Sequence, residues 1–233
     1  VTKKYKRYFK LQWKGIMIME RIILHCDINN CFASIECAEN PGLKGKPIAV
    51  CGDPEDRHGI VLAKSYEAKE YGVQTGETIW QARLKCPSLI TVKPHYDTYM
   101  RYSKAARDIY YRFTDKIESF GLDECWLDVT GSTKLFGSGE EIANLIRRTI
   151  HSELGITVSV GVSFNKIFAK LASDLRKPNA VTVIDKKSFK KDIWPLPVDY
   201  LMGVGRKTSK ILNSVYIKTI GDLAKESPEC LQK

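Results

Sequence analysis

The sequence has no apolar run long enough to cross a bilayer and no closely paired cysteines. A membrane-spanning helix needs roughly 20 apolar residues, and the stretch Ile16–Met19 is broken at once by Glu20 and Arg21, which argues against a secretory signal. The seven cysteines are scattered and form no C-x-x-C pair, so neither a disulfide framework nor a zinc knuckle is indicated. We therefore expect a protein of the reducing cytoplasm that does not enter a membrane.

The histidines are equally uninformative. His25, His58, His95 and His151 lack the spacing of metal ligands, and we assign no chemistry to them.

The chain also lacks an internal repeat and a low-complexity tract. With 233 residues and an ordinary apolar content it can bury a real core, and we expect a globular protein with more than one domain.

Acidic residues are scarce at the two ends of the chain, and the excess of basic residues there accounts for the net charge of +10. Residues 1–19 contain six Lys or Arg and no acid, and residues 186–233 contain ten basic and five acidic residues. This distribution suits a polyanionic partner. Residues 1–19 also carry four aromatic side chains, as a nucleic-acid arm does. A loosely ordered extension is the interpretation that we favour for them.

Three acidic residues lie beside strand-like runs. Asp123 and Glu124 separate Lys116–Phe120 from Cys125–Val129, and this pattern predicts the tip of a hairpin. Asp27 lies near the end of a mostly apolar run, where an unpaired charge is costly. Pairs of Asp and Glu are common on solvated surfaces. Three acids that converge, however, are what two-metal phosphoryl chemistry requires.

Hydrophobic periodicity and helix-breaking residues predict the remaining elements. Helices are predicted at Cys31–Glu39, Tyr66–Tyr71, Thr78–Lys85, Tyr96–Phe113, Gly139–Leu154 and Asn165–Leu175, and strands at Pro47–Cys51, Ile60–Ala63, Leu89–Val92 and Ile156–Val162. Asn29 and Asn30 are expected to cap the first of these helices.

The order of these elements predicts the fold class. With residues 30–94 set aside as an insertion, the order is strand, helix, strand, strand, helix, strand, which is a ferredoxin-like βαββαβ unit of the α+β class. The first strand of that unit lies beside the hairpin. Asp27 is therefore expected close to Asp123 and Glu124.

From Lys186 onwards the pattern changes to short helices with basic residues. A G-x-G turn followed by basic residues and by a second helical segment, Thr219–Lys225, predicts a helix-hairpin-helix, which grips nucleic-acid backbone without reading sequence. The DNA-binding candidates of this module are Gly203, Gly205, Arg206, Lys207 and Lys210.

Six stretches together resemble the Y-family of translesion DNA polymerases, in its bacterial polymerase IV and UmuC/MucB group. They begin with His-Cys-Asp-Ile-Asn-Asn-Cys-Phe and include Leu-Asp-Glu-Cys-Trp-Leu-Asp, and they lie in the family's order at 25–32, 43–50, 65–73, 122–128, 160–174 and 177–179. Each match alone is modest. Six matches in the family's order are together highly specific.

The resemblance implies a division of the chain into domains. Residues 20–30 and 95–185 would form a catalytic palm, residues 31–94 the fingers, and residues 186–233 a helix-hairpin-helix thumb, after the basic extension of residues 1–19. Relatives continue into another DNA-gripping domain, the little finger. On this comparison the chain is a catalytic fragment without that domain.

The resemblance also implies roles for individual residues. Asp27, Asp123 and Glu124 would be the catalytic ligands of two Mg²⁺ ions, with the carbonyl of Ile28 on one of them. Phe32 would be the steric gate that excludes a ribose 2′-OH. The nucleotide-binding positions implied are Cys31, Phe32, Tyr66, Lys69 and Lys177.

Each of these positions also has an ordinary structural interpretation. Phe32 and Tyr66 are by default core aromatics, and Lys69 and Lys177 are by default solvated. Asp128 we interpret as structural.

Two positions depart from the family's pattern. Lys69 stands where many relatives have Arg, and a lysine cannot hold a phosphate through the bidentate geometry of a guanidinium group. Gly121 replaces the Ser usually found two residues before the first hairpin acid.

The activity that the resemblance implies is addition of a deoxynucleotide to a primer 3′-OH in DNA damage bypass and repair. Its partners would be primer–template DNA, a deoxynucleoside triphosphate, and a sliding clamp contacted through regions beyond this chain. Two alternatives stay open. A nucleotide cyclase also uses acids on a ferredoxin-like sheet, although the insertion and the basic C-terminal module count against it. A DNA-binding protein with an inactive polymerase fold is the other, and the intact acids count against it.

Overall fold

The computed structural model describes residues 20–52, 59–229 and 231. The interpretation of residues 1–19 and the position of His58 lie outside the described residues. The strands are β1 (Ile23–Ile28), β2 (Ile48–Cys51), β3 (Val61–Lys64), β4 (Ile90–Val92), β5 (Ile117–Phe120), β6 (Glu124–Asp128), β7 (Val158–Ser163) and β8 (Val181–Val183). The α-helices are α1 (Cys31–Glu39), α2 (Tyr66–Glu70), α3 (Ile79–Lys85), α4 (Tyr96–Tyr111), α5 (Thr133–Phe136), α6 (Gly139–Leu154), α7 (Lys166–Leu175), α8 (Phe189–Asp192), α9 (Arg206–Ser214) and α10 (Ile220–Leu223).

The larger sheet has the strand order β5-β6-β1-β7-β8. Strand β1 is antiparallel to both of its neighbours, β6 and β7, and the two long crossover helices of the unit are α4 and α6. The first four strands in this order form the βαββαβ arrangement that the sequence predicts, with β1 beside the hairpin. Strand β8, which pairs parallel with β7, was not predicted.

Strand β1 is buried on both faces, which explains its nearly continuous apolar sequence. On one face Leu24, Cys26 and Ile28 join the main core with α4 and α6. On the other face Ile23 contacts Trp126 and Ala169 of α7. The polar side chains of β1 on this second face are therefore held between the sheet and α7.

Gly161 allows α7 to lie close to the sheet. A Cβ atom at this position would lie 1.9 Å from the carbonyl oxygen of Ala169 and 2.5 Å from the amide nitrogen of Ser173. Any larger residue in this part of β7 would push α7 away from the sheet. The close approach brings the middle of α7 over β1 and β6.

The insertion between β1 and α4 forms a second, three-stranded sheet with the order β3-β2-β4. It has its own core, which includes Ala49, Val61 and Ala82. Helix α1 has the predicted bounds, but the predicted cap is wrong. Asn30 adopts a left-handed conformation with φ 45° and makes no side-chain cap bond, while the side chain of Asn29 hydrogen-bonds to Ser159 in β7.

The part after β8 consists of short helices packed against α7. Ile184, Ile193 and Ile220 form a cluster with Leu171 and Ala172 of that helix. The element immediately before Gly203 is a single 3-10 turn, Val198–Tyr200, rather than an α-helix, and α9 begins directly after Gly205. The helix-hairpin-helix assignment therefore stays a prediction. No helix in the described part of the chain is long and apolar enough to cross a membrane.

Candidate active site

The pairing of β1 with β6 brings the three predicted carboxylates together. Asp27 lies directly opposite Glu124 in the antiparallel register, and the amide of Ile28 donates to the carbonyl of Asp123 at 3.0 Å. Directly opposed residues in such a pair have their side chains about 5 Å apart. The convergence that the sequence predicts is therefore present in the structure.

The hairpin tip that carries Asp123 is held by α4. Gly121 has φ 80°, a left-handed conformation that glycine adopts without strain. The hydroxyl of Ser103 donates to the carbonyl of Leu122, and Arg107 donates to that hydroxyl at 2.9 Å. The glycine that departs from the family's pattern therefore occupies a position where a side chain would be strained.

Lys170 of α7 reaches into the carboxylate cluster, and the sequence analysis did not single it out. Its Nζ atom lies 2.9 Å from Glu124, 3.2 Å from Asp27 and 3.2 Å from Asp174. In sequence, a lysine on an amphipathic helix is by default a solvated residue. The sequence offers one sign of its role, which is the i,i+4 spacing of Lys170 and Asp174 within one of the six matching stretches.

Lys177 also contacts the cluster. Its Nζ atom lies 2.7 Å from Asp27 and 2.8 Å from Asp174, so it is not the solvated residue of the default interpretation. The loop that carries it is tied to the sheet, because the amide of Asn179 donates to the side-chain oxygen of Asn29 at 2.8 Å. Asn29 therefore fixes the loop of Lys177 rather than capping α1.

The environment shifts the pKa values of the acids in opposite directions. Burial raises the pKa of Asp27 against the pull of Lys177 and Lys170, and burial together with the charge of Asp27 raises the pKa of Asp123. Burial also opposes ionisation of Glu124. The hydrogen bonds that it receives from His25 and Lys170 outweigh this, and they lower its pKa to about 2.

The acids open onto a cavity of about 330 Å³ between the two sheets. Lys64, a residue of β3 that the sequence analysis did not single out, also contributes to its wall. The wall further includes Asp27, Ile28, Cys31, Phe32, Asp123, Glu124, Lys170 and Lys177. The Oε2 atom of Glu124 is buried and lies 3.2 Å from the Nε2 atom of His25, while its Oε1 atom faces Lys170. Clustered carboxylate oxygens are the ligands that a hard divalent cation prefers.

Phe32 lies at the cavity with its ring stacked on Tyr99, at a centroid distance of 4.3 Å and an interplanar angle of 10°. The hydroxyl of Tyr99 donates to the buried carboxylate of Glu36 at 2.5 Å. Phe32 is half-buried rather than enclosed in the core. Part of its side chain is thus accessible at the cavity.

Two of the nucleotide-binding candidates lie outside the wall of this cavity. Tyr66 lines a neighbouring cavity of about 200 Å³ with Asn30 and Gly155, and Lys69 places its ammonium group 5.9 Å from the centre of the Tyr66 ring. Burial raises the pKa of Tyr66, with smaller influences from the charges of Lys177 and Asp27. The structure therefore places Lys177, Cys31 and Phe32 in the wall of the carboxylate cavity and Tyr66 in the wall of the neighbouring one, within range of the charges of Lys177 and Asp27.

The DNA-binding candidates lie at the start of α9. Gly205 occupies its N-cap position without a side-chain cap, so amide groups of the first turn have no such partner. Arg206, Lys207 and Lys210 are exposed on the same helix. This is a positively charged helix N-terminus, separate from the carboxylate cavity.

Replacing Lys170 by Met is expected to destabilise the protein by about 3 kcal/mol in a buffer without divalent cations, because three acids lose a largely buried counter-charge. Saturating Mg²⁺ should raise the melting temperature of Lys170→Met by more than it raises that of the wild type, since a ligand that binds the folded state stabilises it. Thermal unfolding with and without Mg²⁺ measures both effects.

Lys166→Met provides the matched control. Lys166 lies one turn earlier on α7 and pairs with Glu118 at the surface, where an ion pair contributes only about 0–1 kcal/mol. Equal losses in the two variants would show that Lys170 does not neutralise the cluster.

The fold and the site together define an α+β protein with a carboxylate cluster at the junction of two neighbouring strands. The chain belongs to the impB/mucB/samB family, whose model matches residues 26–174.

Curated relatives carry the name DNA polymerase IV. The protein of Acetivibrio thermocellus is 61% identical over 206 residues, which cover 88% of this chain and 52% of that protein. The protein of Clostridium acetobutylicum is 41% identical over 213 residues, which cover 89% of this chain and 54% of that protein. The chain thus spans about half the length of the curated relatives that it matches.

Solved structures agree with this assignment. DinB from Sulfolobus solfataricus matches with a TM-score of 0.83 and 33% identity, over 91% of this chain and 62% of that one. The insertion ternary complex of Dbh DNA polymerase matches with a TM-score of 0.85 at the same identity and coverage.

Proposed function

We propose that this chain is the catalytic portion of a DNA-directed DNA polymerase of the translesion type. It adds a deoxynucleotide to a primer 3′-OH opposite a template and releases pyrophosphate. The observation that carries the proposal is the meeting of Asp27, Asp123 and Glu124 at one cavity, which the first turn of α1 also lines. The names of the relatives and of the matched structures support the same activity.

Two Mg²⁺ ions are the proposed cofactor. Asp27, Asp123 and Glu124 would hold them with the carbonyl of Ile28. The chemistry that such ions supply when bound is a lower pKa for the attacking hydroxyl and neutralisation of charge on the triphosphate. No side chain has to act as a nucleophile in this reaction.

The remaining groups at the cavity suit a triphosphate. The amides of Cys31 and Phe32 open the nine-residue helix α1, and a helix N-terminus favours a bound anion. Lys177 adds a positive charge beside them. Tyr66, which lies within range of the charges of Lys177 and Asp27, would extend this set together with Lys69 beside it.

We further propose that Phe32 selects the sugar. Its ring lies beside the acids and is backed by Tyr99, so an added 2′-OH on the nucleotide would meet a surface that cannot retreat. Burial of Tyr99 and its bond to Glu36 support that rigidity.

The domain division follows from this function. Residues 20–30 and 95–185 would be the palm, residues 31–94 the fingers and residues 186–233 the helix-hairpin-helix thumb. The separate core of the smaller sheet supports a second unit within the insertion, while the buried side of α1 packs into the main core. Damage bypass in the cytoplasm and contact with a sliding clamp through regions beyond this chain complete the proposal.

Primer extension tests the activity directly. A polypeptide that contains these 233 residues should extend a labelled primer on a template when Mg²⁺ is present and should stop when the ion is chelated. Formation of a cyclic product from nucleotide alone would instead identify a cyclase. DNA binding without extension under every condition would leave only a DNA-binding protein with an inactive polymerase fold.

The basic start of α9 is proposed to grip the DNA backbone. Replacing Arg206, Lys207 and Lys210 together by Ala should weaken binding to every primer–template sequence alike, because phosphate contacts carry no sequence information. It should also reduce the slope of log affinity against log salt by up to about 0.9 for each phosphate that is no longer neutralised. Titrations of labelled DNA at several salt concentrations measure both quantities.

A control with the same loss of charge separates this contact from general electrostatics. Lys104, Lys134 and Arg148 are exposed on α4, α5 and α6, and their replacement by Ala should leave the salt slope nearly unchanged. If the α9 variant keeps the wild-type slope, or loses only some sequences, α9 is not the site of backbone contact.

A further inference from the structure

We propose that His25 is a positioning residue that orients Glu124 and thereby strengthens the binding of divalent cations at the carboxylate cluster. The inference rests on the proposed metal-dependent function. The spacing of the histidines in the sequence gives no sign of such a role.

His25 lies behind Glu124, on the protein side of the cluster. Its side chain is completely buried, and its Nε2 atom lies 3.2 Å from the Oε2 atom of Glu124. Both atoms are buried, and neither has an aligned hydrogen bond in the described part of the chain. Two polar atoms in this setting have only each other as partners, which favours a hydrogen bond between them.

The other side of the imidazole ring fixes its orientation. The Nδ1 atom lies 2.9 Å from the hydroxyl of Ser173, and the ring stands edge-on to Trp126 with centroids 5.0 Å apart. The hydroxyl of Ser173 donates to the carbonyl of Lys170 at 2.7 Å, and its contact with Nδ1 holds the ring in place. A proton on Nε2 is directed at Glu124, whereas a bare Nε2 would set two lone pairs 3.2 Å apart.

Glu124 is therefore held from two sides. Lys170 contacts its Oε1 atom at 2.9 Å, and His25 contacts its Oε2 atom from the interior. A carboxylate has about four acceptor sites, so two such contacts leave room for a cation.

His25 is not a ligand itself in this proposal. Its nearest ligand-like neighbours are Asp27 and Glu124, with ligand atoms within 4.8 Å of one another. The cavity wall, however, includes both acids and not the histidine. The histidine acts on a bound cation through Glu124, as groups that hydrogen-bond to metal ligands do.

Binding of Mn²⁺, followed by electron paramagnetic resonance without DNA or nucleotide, tests the proposal. His25→Phe preserves a planar ring against Trp126 and removes both nitrogens, and it is expected to weaken Mn²⁺ binding by about 10–100-fold. His25→Gln can place an amide N–H near the position of Nε2 and should restore most of the affinity. His151→Phe, at an exposed position of α6, should bind Mn²⁺ like the wild type.

Two further variants decide between the possible failures. Glu124→Gln must weaken Mn²⁺ binding, and wild-type affinity in that variant would overturn the proposed metal site itself. If Glu124→Gln binds weakly while His25→Phe binds like the wild type, the metal site stands and the positioning role of His25 is wrong.

Ser173→Ala frees the Nδ1 side of the ring and should also weaken Mn²⁺ binding, by a smaller factor. This variant decides the question if His25→Phe fails to fold, and unchanged Mn²⁺ affinity in it would then overturn the proposal.

Discussion

Replacing either Asp27 or Asp123 by Asn is expected to lower the rate of primer extension by on the order of 10²–10³-fold, a typical loss when charge stabilisation is removed from a transition state. Both acids lie at the cavity, and Asn keeps the shape of Asp while removing its charge. The affinity for primer–template DNA should stay close to that of the wild type, because backbone contacts are proposed at α9. Single-turnover extension and a binding titration measure the two quantities separately.

Asp128→Asn is the matched control for these variants. Asp128 lies in the same strand as Glu124, but it pairs with Arg21 at 3.0 Å and bonds to Thr130, outside the cavity. Its replacement should leave extension within a few-fold of the wild type. Near wild-type extension by Asp27→Asn or Asp123→Asn would contradict the two-metal assignment, whatever the control does.

Shortening Phe32 to Ala should admit ribonucleotides. Forcing extra atoms into a packed site costs about 1–3 kcal/mol, so removal of the ring should reduce the preference for deoxynucleotides by roughly 5- to 150-fold. Steady-state incorporation of one ribonucleotide against its deoxy counterpart gives this ratio. The stack on Tyr99 is the physical reason to expect an effect of this size, because a backed ring cannot yield.

Phe32→Tyr keeps the ring and should keep the discrimination. An unchanged ratio in Phe32→Ala would mean that Phe32 is only a packing residue, which is the ordinary interpretation of an aromatic side chain on a helix. Loss of deoxynucleotide incorporation without any gain of ribonucleotide would point instead to a collapse of the site. Thermal unfolding of both variants distinguishes that outcome.

The helices whose bounds the sequence predicts in full are those that local residues begin or end. Helix α1 and helix α6 have the predicted bounds, and α6 begins at a capping box formed by Ser138 and Glu141, a signal carried entirely by local residues. Strand β8 was missed because its pairing with β7 is non-local. Asn29 was assigned to a cap because a local rule favours asparagine there, but bonds to β7 compete successfully for its side chain.

The carboxylates of the candidate site could be predicted for the same reason. Each lies at a strand end or a hairpin tip, and the order of the elements already places β1 beside the hairpin. The groups that contact them could not be predicted in this way. Lys170 and His25 have no local pattern, and their distances to Glu124 depend on how closely α7 approaches the sheet.

The sequence by itself determined the βαββαβ order, the three acids and the family, because strand alternation, turn residues and short motifs are properties of neighbouring residues. The tertiary structure alone decided which charges surround the acids. A single glycine, Gly161, lets α7 lie on β7, and this contact brings Lys170 to one side of Glu124 and sets Ser173 against His25 on the other. Such contacts join residues about 50 to 150 positions apart. Only packing in three dimensions, with its steep dependence on distance, selects them.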